Sequence, residues 1–162
     1  MSEARSYTVR PATAADAGAI LSVHTDAIAV LCAGDYSPAQ LAGWSEWPGY
    51  ENWLQRKLFA GEIVLVAESA TAGVVGFAER TDDEIRAVYV HPLHARRGVG
   101  SALLRQLEQS ARAEGVTRLW LDSSLTAEPF YRARGYETES VGQHTCSNGT
   151  VLQCVRMAKR LS

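Results

Sequence analysis

The chain has little of what would mark a secreted, metal-binding or membrane-spanning protein. Cysteine occurs only three times in 162 residues, at 32, 146 and 154. An odd count without metal-ligand spacing argues against both a disulfide framework and a metal centre. No apolar run approaches the ~18 residues that a membrane span requires, and Met1–Arg10 has no apolar segment of the signal-peptide kind. Neither sign of charge dominates: 16 Lys and Arg against 18 Asp and Glu leave a formal charge of −2. There is thus no global attraction to nucleic acid or to an anionic membrane. Repeats, low-complexity tracts and linkers are also missing. With 46% hydrophobic and 21% charged residues, the composition is that of a globular protein. The length suits one domain over residues 1–162 better than two. A cytoplasmic location is expected.

What is present is concentrated between Ala87 and Leu104, A-V-Y-V-H-P-L-H-A-R-R-G-V-G-S-A-L-L. It begins as a strand, because Ile85, Ala87 and Tyr89 alternate with Arg86, Val88 and Val90. Pro92 ends the strand, having no N–H for a ladder. A basic turn with Arg96, Arg97, Gly98 and Gly100 leads to a helix carrying Leu103, Leu107 and Ala111 on one face. A strand, a glycine turn and a helix N-terminus make a phosphate site, since the first helical N–H groups are unpaired at the positive end of the dipole. The glycines let the backbone approach an anion, and Ser101 adds a donor. A nucleotide P-loop would need Lys followed by Ser or Thr after the last glycine, where Ser101-Ala102 stands. A dinucleotide fingerprint would need Gly or Ala where Leu103 stands.

These residues resemble the acyl-CoA signature of the GCN5-related N-acetyltransferases (Gln or Arg, two residues, Gly, any residue, then Gly or Ala). The resemblance extends to L-W-L-D-S-S-L-T-A-E-P-F-Y-R-A-R-G-Y, residues 119–136, and to the block Tyr36-Ser37-Pro38…Gln40…Trp44 of one bacterial branch. Two positions depart from the pattern. Ala95 replaces the first Gln or Arg, and Thr126 replaces a frequent Asn. The resemblance implies a mixed α/β acyl-CoA N-acyltransferase fold, with a twisted, mostly antiparallel sheet of about seven strands flanked by helices. It implies acetyl-CoA as co-substrate, no metal, and transfer to a small-molecule or peptide amine, with no nucleic acid or membrane partner; it is compatible with a homodimer. A non-catalytic acyl-CoA-binding module is the alternative, suggested by Ala95.

The remaining elements follow in order. Residues 6–10 form a first strand ended by Pro11. Thr13 caps a helix with Asp16 as the acid of a capping box, and Gly34 stops it. Ser37-Pro38 opens a second helix with proline at its first position. Trp44, Trp47, Tyr50 and Trp53 crowd a segment broken by Pro48-Gly49, before a helix to about Phe59. Ile63–Ala67 is continuously apolar, hence covered on both faces. Residues 74–79 and 84–90 complete three antiparallel strands. Residues 117–122 form a fifth strand parallel to the fourth, since a helix crosses between them, and the resemblance implies that the sheet splays between these two. A short helix over 128–134 precedes a final hairpin around a two-residue Asn148-Gly149 turn, which places Cys146 opposite Val151 and Cys154 opposite Gln143.

On this reading the pyrophosphate is met by Arg96, Arg97, Gly98, Val99, Gly100 and Ser101. The amide-rich arm pairs with the edge of Val88, Tyr89 and Val90, and the Val90 N–H polarises the thioester carbonyl. Tyr131 is the general-acid candidate, because a phenol near its ordinary value almost matches an alkyl thiol. Glu79 and Glu84 are the base candidates, and Tyr36 and Trp44 are the acceptor-pocket candidates. None of the four histidines has a triad partner at readable spacing.

Overall fold

The computed structural model describes residues 7–162, the Glu51 side chain apart; Ser6, expected in the first strand, lies outside them. Seven strands form one sheet: β1 (Tyr7–Pro11), β2 (Ile63–Ser69), β3 (Gly73–Thr81), β4 (Glu84–Val90), β5 (Arg118–Ser124), β6 (Glu137–Thr145) and β7 (Val151–Arg160). Their order across the sheet is β1-β2-β3-β4-β5-β7-β6. Pairings are antiparallel except β4 with β5, which is parallel and made by one matched pair, Glu84 with Trp120. Beside that pair the Trp120 N–H donates to the Asp83 carbonyl at 3.0 Å, and no further matched pair joins the two strands toward Val90. This is the splay that the sequence reading expected.

Helices cover both faces. α4 (Val99–Ala113) lies on one, burying Val99, Leu103, Leu104, Leu107 and Ala111 against Ile85, Leu119, Leu121 and Met157. Gly76 on β3 permits this approach, since a Cβ there would stand 3.1 Å from Val99 and 3.2 Å from Leu103. On the other face, α1 (Ala17–Leu31) and α3 (Tyr50–Phe59) pack Ile20, Val23, Trp53 and Leu54 onto Val64, Val66 and Phe77. β2 contributes Ile63, Leu65 and Ala67 to one core and Val64 and Val66 to the other, as its unbroken apolar run implied. Each fully buried leucine of α4 is worth ~2–5 kcal/mol against truncation to alanine.

Details depart from expectation. The Thr13–Asp16 capping box forms, but on a 3₁₀ turn, Ala14–Asp16, that precedes α1. Its carboxylate also receives two Arg10 nitrogens, at 2.9 and 3.0 Å, which ties β1 to α1. That ion pair is what holds the Asp16 carboxyl below its usual range. Pro11 is the last residue of β1 rather than the one beyond it. α1 ends at Leu31 instead of running to Gly34. With its 3₁₀ turn it spans Ala14–Leu31, long and apolar enough by composition alone to cross a membrane, contrary to the run-length reading. Its inner face, Ile20, Val23, His24, Ala27 and Ile28, is buried in the domain.

The hairpin register is also one residue from expectation. Thr145 faces Val151 and Gly142 faces Cys154. The Gly149 N–H donates to the Cys146 carbonyl at 2.9 Å, and the Cys146 N–H donates to the Thr150 carbonyl at 2.8 Å. The loop therefore holds three residues and ends in a left-handed Gly149, φ 88°, a type I turn with a bulge. A two-residue turn would need Asn148 left-handed as well. Instead the Asn148 amide donates to the Gly43 carbonyl and to Glu46, anchoring the loop on α2 (Pro38–Ser45).

Candidate active site

The site grows out of a defect in β4. Glu79 pairs with Ala87 and Arg80 with Ile85, leaving Arg86 unmatched, a bulge that bends β4 away from β5. Beyond it the His91 N–H donates to the Val75 carbonyl at 2.8 Å. Hydrogen-bonding direction alternates along an antiparallel ladder, so Tyr89 also bonds toward β3. Val88 and Val90 then direct their N–H groups to the side that β5 has left. A row of backbone donors faces an open cleft.

That cleft leads to the start of α4. Arg96 is left-handed at φ 60°, as is Gly98 at φ 85°, and the two swing the chain into the helix. The two glycines have separate causes. A Cβ on Gly98 would meet nothing within 4 Å, so this glycine serves the turn; a Cβ on Gly100 would press on the Phe130 ring at 3.1 and 3.2 Å. Gly100 lets α5 (Glu128–Arg132) dock on α4. Together Val88, Val90, Arg96, Gly98, Ser101 and Tyr131 border a groove of ≈ 550 Å³. Of the other residues expected here, Val99 turns its side chain into the core and offers only backbone. Arg97 is exposed beside the groove, and the Tyr89 ring stacks on Phe77 at 5.3 Å.

One groove residue escaped the sequence reading. Arg134 donates from Nε to the Ser101 hydroxyl at 2.8 Å and again from Nη2. It also bonds the Phe130 carbonyl at 2.8 Å and lies 3.9 Å over the Phe130 ring. Ser101 accepts these bonds and keeps its own O–H to donate. The signal was the charge of R-A-R-G after Phe130-Tyr131, hidden by the expectation that this segment only closed a helix.

Tyr131 is 5% exposed, beside Phe130 and Tyr136. Its hydroxyl has no hydrogen-bond partner among the described residues, and burial pushes the phenol above its ordinary range. It borders both the groove and a second cavity at the splay, which also touches Val88, Trp44 and Asp122. A third chamber, ≈ 160 Å³, continues past the β4–β5 opening and is lined by Tyr36, Trp44, Glu84, Arg86, His144 and Leu152, among others. Tyr36 and Trp44 are thus brought to one chamber, 5.3 Å apart ring to ring. The Tyr36 hydroxyl donates to the Gln153 carbonyl at 2.7 Å and accepts from the Leu125 N–H at 2.9 Å. Gln40, from the same sequence block, donates to the Val151 carbonyl at 3.1 Å. The block therefore fastens α2 to β7 and the end of β5.

The two base candidates are separated. Glu84 lines the chamber, with Arg86 Nη1 donating to it at 3.2 Å. Glu79 is 5% exposed, pairs with Lys57 at 2.8 Å under α3, and borders none of the three cavities. Asp122 is held by Arg156 Nε and Nη2 at 2.6 and 3.0 Å. Among the histidines, His24 is buried between Trp47 and Tyr89, and burial lowers its pKa to about 4. His91 pairs with Asp26 at 3.2 Å, and His94 meets the Tyr7 hydroxyl at 3.2 Å. Cys32, Cys146 and Cys154 are all free thiols, and the described residues contain no cluster able to hold a metal ion.

A splayed α/β sheet with a glycine-turn helix behind the splay defines the acetyltransferase class of fold. Residues 32–161 match the model of the acetyltransferase (GNAT) domain, and the chain belongs to that family. A GCN5-related N-acetyltransferase from Rhodopseudomonas palustris superposes with a TM-score of 0.87, at 31% identity over 97% of this chain and 98% of that one. An uncharacterized N-acetyltransferase, YafP, of Escherichia coli K12 is 30% identical over 119 residues, 74% of this chain and 73% of its own. The fold is also that of YncA, a putative acetyltransferase of Salmonella typhimurium solved with acetyl-CoA. That match has a TM-score of 0.72, with 23% identity over 96% of this chain and 94% of the other.

Proposed function

We propose that residues 1–162 form a single N-acetyltransferase domain that moves an acetyl group from acetyl-CoA to a primary amine by direct attack in a ternary complex. The observation that carries this is the continuity of the cleft. It has the α4 N-terminal turn at one end, the Val88 and Val90 N–H groups along its wall, and Tyr131 where it meets the second cavity at the splay, which shares Trp44, Arg86 and Asp122 with the chamber beyond. The pyrophosphate takes the unpaired N–H groups of α4, with the Ser101 hydroxyl and Arg96 beside it. The pantetheine amides take the open edge of β4. The thioester carbonyl takes the Val90 N–H as its oxyanion donor.

The acceptor enters through the chamber. An ammonium group first loses a proton, through water, toward Glu84, which borders the chamber; Glu79 is spent on Lys57. The amine lone pair attacks the carbonyl carbon, forming a C–N bond. Collapse of the tetrahedral species breaks the C–S bond, the thiolate takes the Tyr131 proton, and the proton then lost from the acylated nitrogen restores the phenol. The products are the N-acetyl amine, CoA thiol and one released proton. Burial raises Tyr131 and keeps it protonated. The same dry surroundings raise the departing thiolate, so the two remain matched. The three free thiols support a reducing, cytoplasmic compartment.

Tyr131→Phe tests the assignment. The ring keeps its packing on Phe130 and Tyr136, so acetyl-CoA affinity by calorimetry should stay within about twofold. General acid catalysis is worth about 10²–10⁴-fold, and kcat should fall in that range when chemistry limits turnover. The loss should shrink with an acyl donor whose thiol is more acidic. Near-normal kcat with chemistry rate-limiting would make Tyr131 a packing residue.

A further inference from the structure

We propose that the acceptor is a small neutral α-amino acid whose carboxylate is received by Arg86; this rests on the acetyltransfer reading above. Three features of the chamber carry it. Arg86 stands unmatched at the bulge in β4 and lines the chamber on the same side of the strand as Glu84, which it bonds. Arg86 is the cation of the chamber lining, and its side chain is 47% exposed. Nη1 bonds Glu84 at 3.2 Å and Nε lies 3.8 Å from Glu79, while Nη2 has no partner among the described residues. A guanidinium with a free edge matches a carboxylate, which an α-amino acid supplies and a simple amine does not.

The second feature is the spacing of opposite charges. Glu84 and Arg86 present a carboxylate and a guanidinium side by side in one chamber. An α-amino acid presents an ammonium and a carboxylate side by side on one carbon. Ammonium toward Glu84 and carboxylate toward Arg86 places the nitrogen at the proposed base and beside the cleft that holds the acyl group. The other carboxylate bordering the chamber, Asp122, is already neutralised by Arg156 at 2.6 Å. The remaining charge is a balanced pair, suited to a zwitterion and unsuited to a polyamine.

The third feature is size and lining. The chamber's ≈ 160 Å³ is below the ~300–1,000 Å³ usual for drug-sized ligands. Beyond the charged pair its lining mixes Tyr36, Trp44 and Leu152 with Ser124, His144 and Gln153, which suits a small uncharged side chain. Transfer to such an acceptor forms the amide C–N bond, breaks the thioester C–S bond, and yields the N-acetyl amino acid, CoA thiol and a proton.

The test compares L-leucine and L-phenylalanine with their carboxamides, by thiol release from acetyl-CoA, in wild type, Arg86→Gln and Arg86→Lys. Wild type should prefer the acids by about tenfold or more in kcat/KM. Arg86→Gln should raise KM for the acids about 10- to 100-fold, as expected for a lost charge-assisted bond, and leave KM for the amides within about threefold, while any effect through the Arg86–Glu84 bond falls on kcat for both. Arg86→Lys should recover part of the preference. An unchanged melting temperature and acetyl-CoA affinity show that the variants are folded. Wild-type preference for the amides, or an equal rise in KM for acids and amides, overturns the carboxylate role while acetyl transfer stands. No thiol release with any amine, together with no acetyl-CoA binding, overturns it along with the reading beneath it.

Discussion

At the scale of single residues, the sequence singled out candidate side chains better than it showed what each one touches. Tyr131, Glu84, Tyr36 and Trp44 were all legible, and all border the connected cavities. Glu79 looked equivalent to Glu84 because both end adjacent strands, and only the fold reveals Lys57 over one of them. Arg134 was missed because its partner Ser101 lies 33 positions away. His24 was set aside for want of a triad partner, yet it carries a measurable consequence. It is 8% exposed with Nδ1 unpartnered, and burial lowers its pKa from 6.5 to about 4. In that window the unfolded chain binds a proton that the folded chain refuses, so stability rises with pH from about 4 to 6.5 and falls on acidification. The difference between pH 7 and 4.5 should be about 2 kcal/mol from this group alone. Urea unfolding of wild type and His24→Gln at both pH values checks it. The variant should lose that part of the slope, and an unchanged slope would show that His24 protonates in the folded state.

At the scale of elements, helix caps and strand runs were readable because their causes are local. The Thr13–Asp16 capping box, the Ser37-Pro38 start of α2 and the apolar run of β2 need no distant information. The hairpin register was not readable, because Asn148 is committed to Gly43 and Glu46 on a helix a hundred positions earlier. The bulge at Arg86 was equally hidden, since alternation alone makes β4 regular. The glycine turn was read as two glycines with one purpose, and the structure separates them. Gly98→Ala should cost about 1–2 kcal/mol of backbone strain at φ 85°, with little dependence on any neighbour. Gly100→Ala should instead displace Phe130 and, with it, Tyr131, lowering kcat. Combining it with Phe130→Leu should restore part of that loss, with a coupling of about 1 kcal/mol. A double-mutant cycle on activity measures this directly. Additive effects would mean that the α4–α5 contact does not set the position of Tyr131.

At the scale of the whole molecule, topology explains why a chain with no metal cluster among its described residues and almost no net charge can bind a polyanion. The sheet is continuous except at one parallel neighbour pair, Glu84 with Trp120. At that break it leaves backbone donors of β4 open beside the N-terminus of α4. On the proposed reading, binding energy comes from backbone and helix geometry, which composition does not display. Saturating acetyl-CoA, at 100 times its Kd, should stabilise the fold by ~2.7 kcal/mol, or about 5–10 °C for a chain of this size. NAD and ATP at equal concentration should not. The central claim is that acetyl-CoA occupies the splay itself. Amide hydrogen exchange, read by mass spectrometry with and without acetyl-CoA, tests it most directly. Slowed exchange should be confined to residues 88–101, covering the β4 edge and the α4 turn, and to 126–134 across the cleft. The β1–β2 pair and α3 should be unaffected. Protection centred elsewhere, with the β4 edge exchanging as fast as in the free protein, would contradict it.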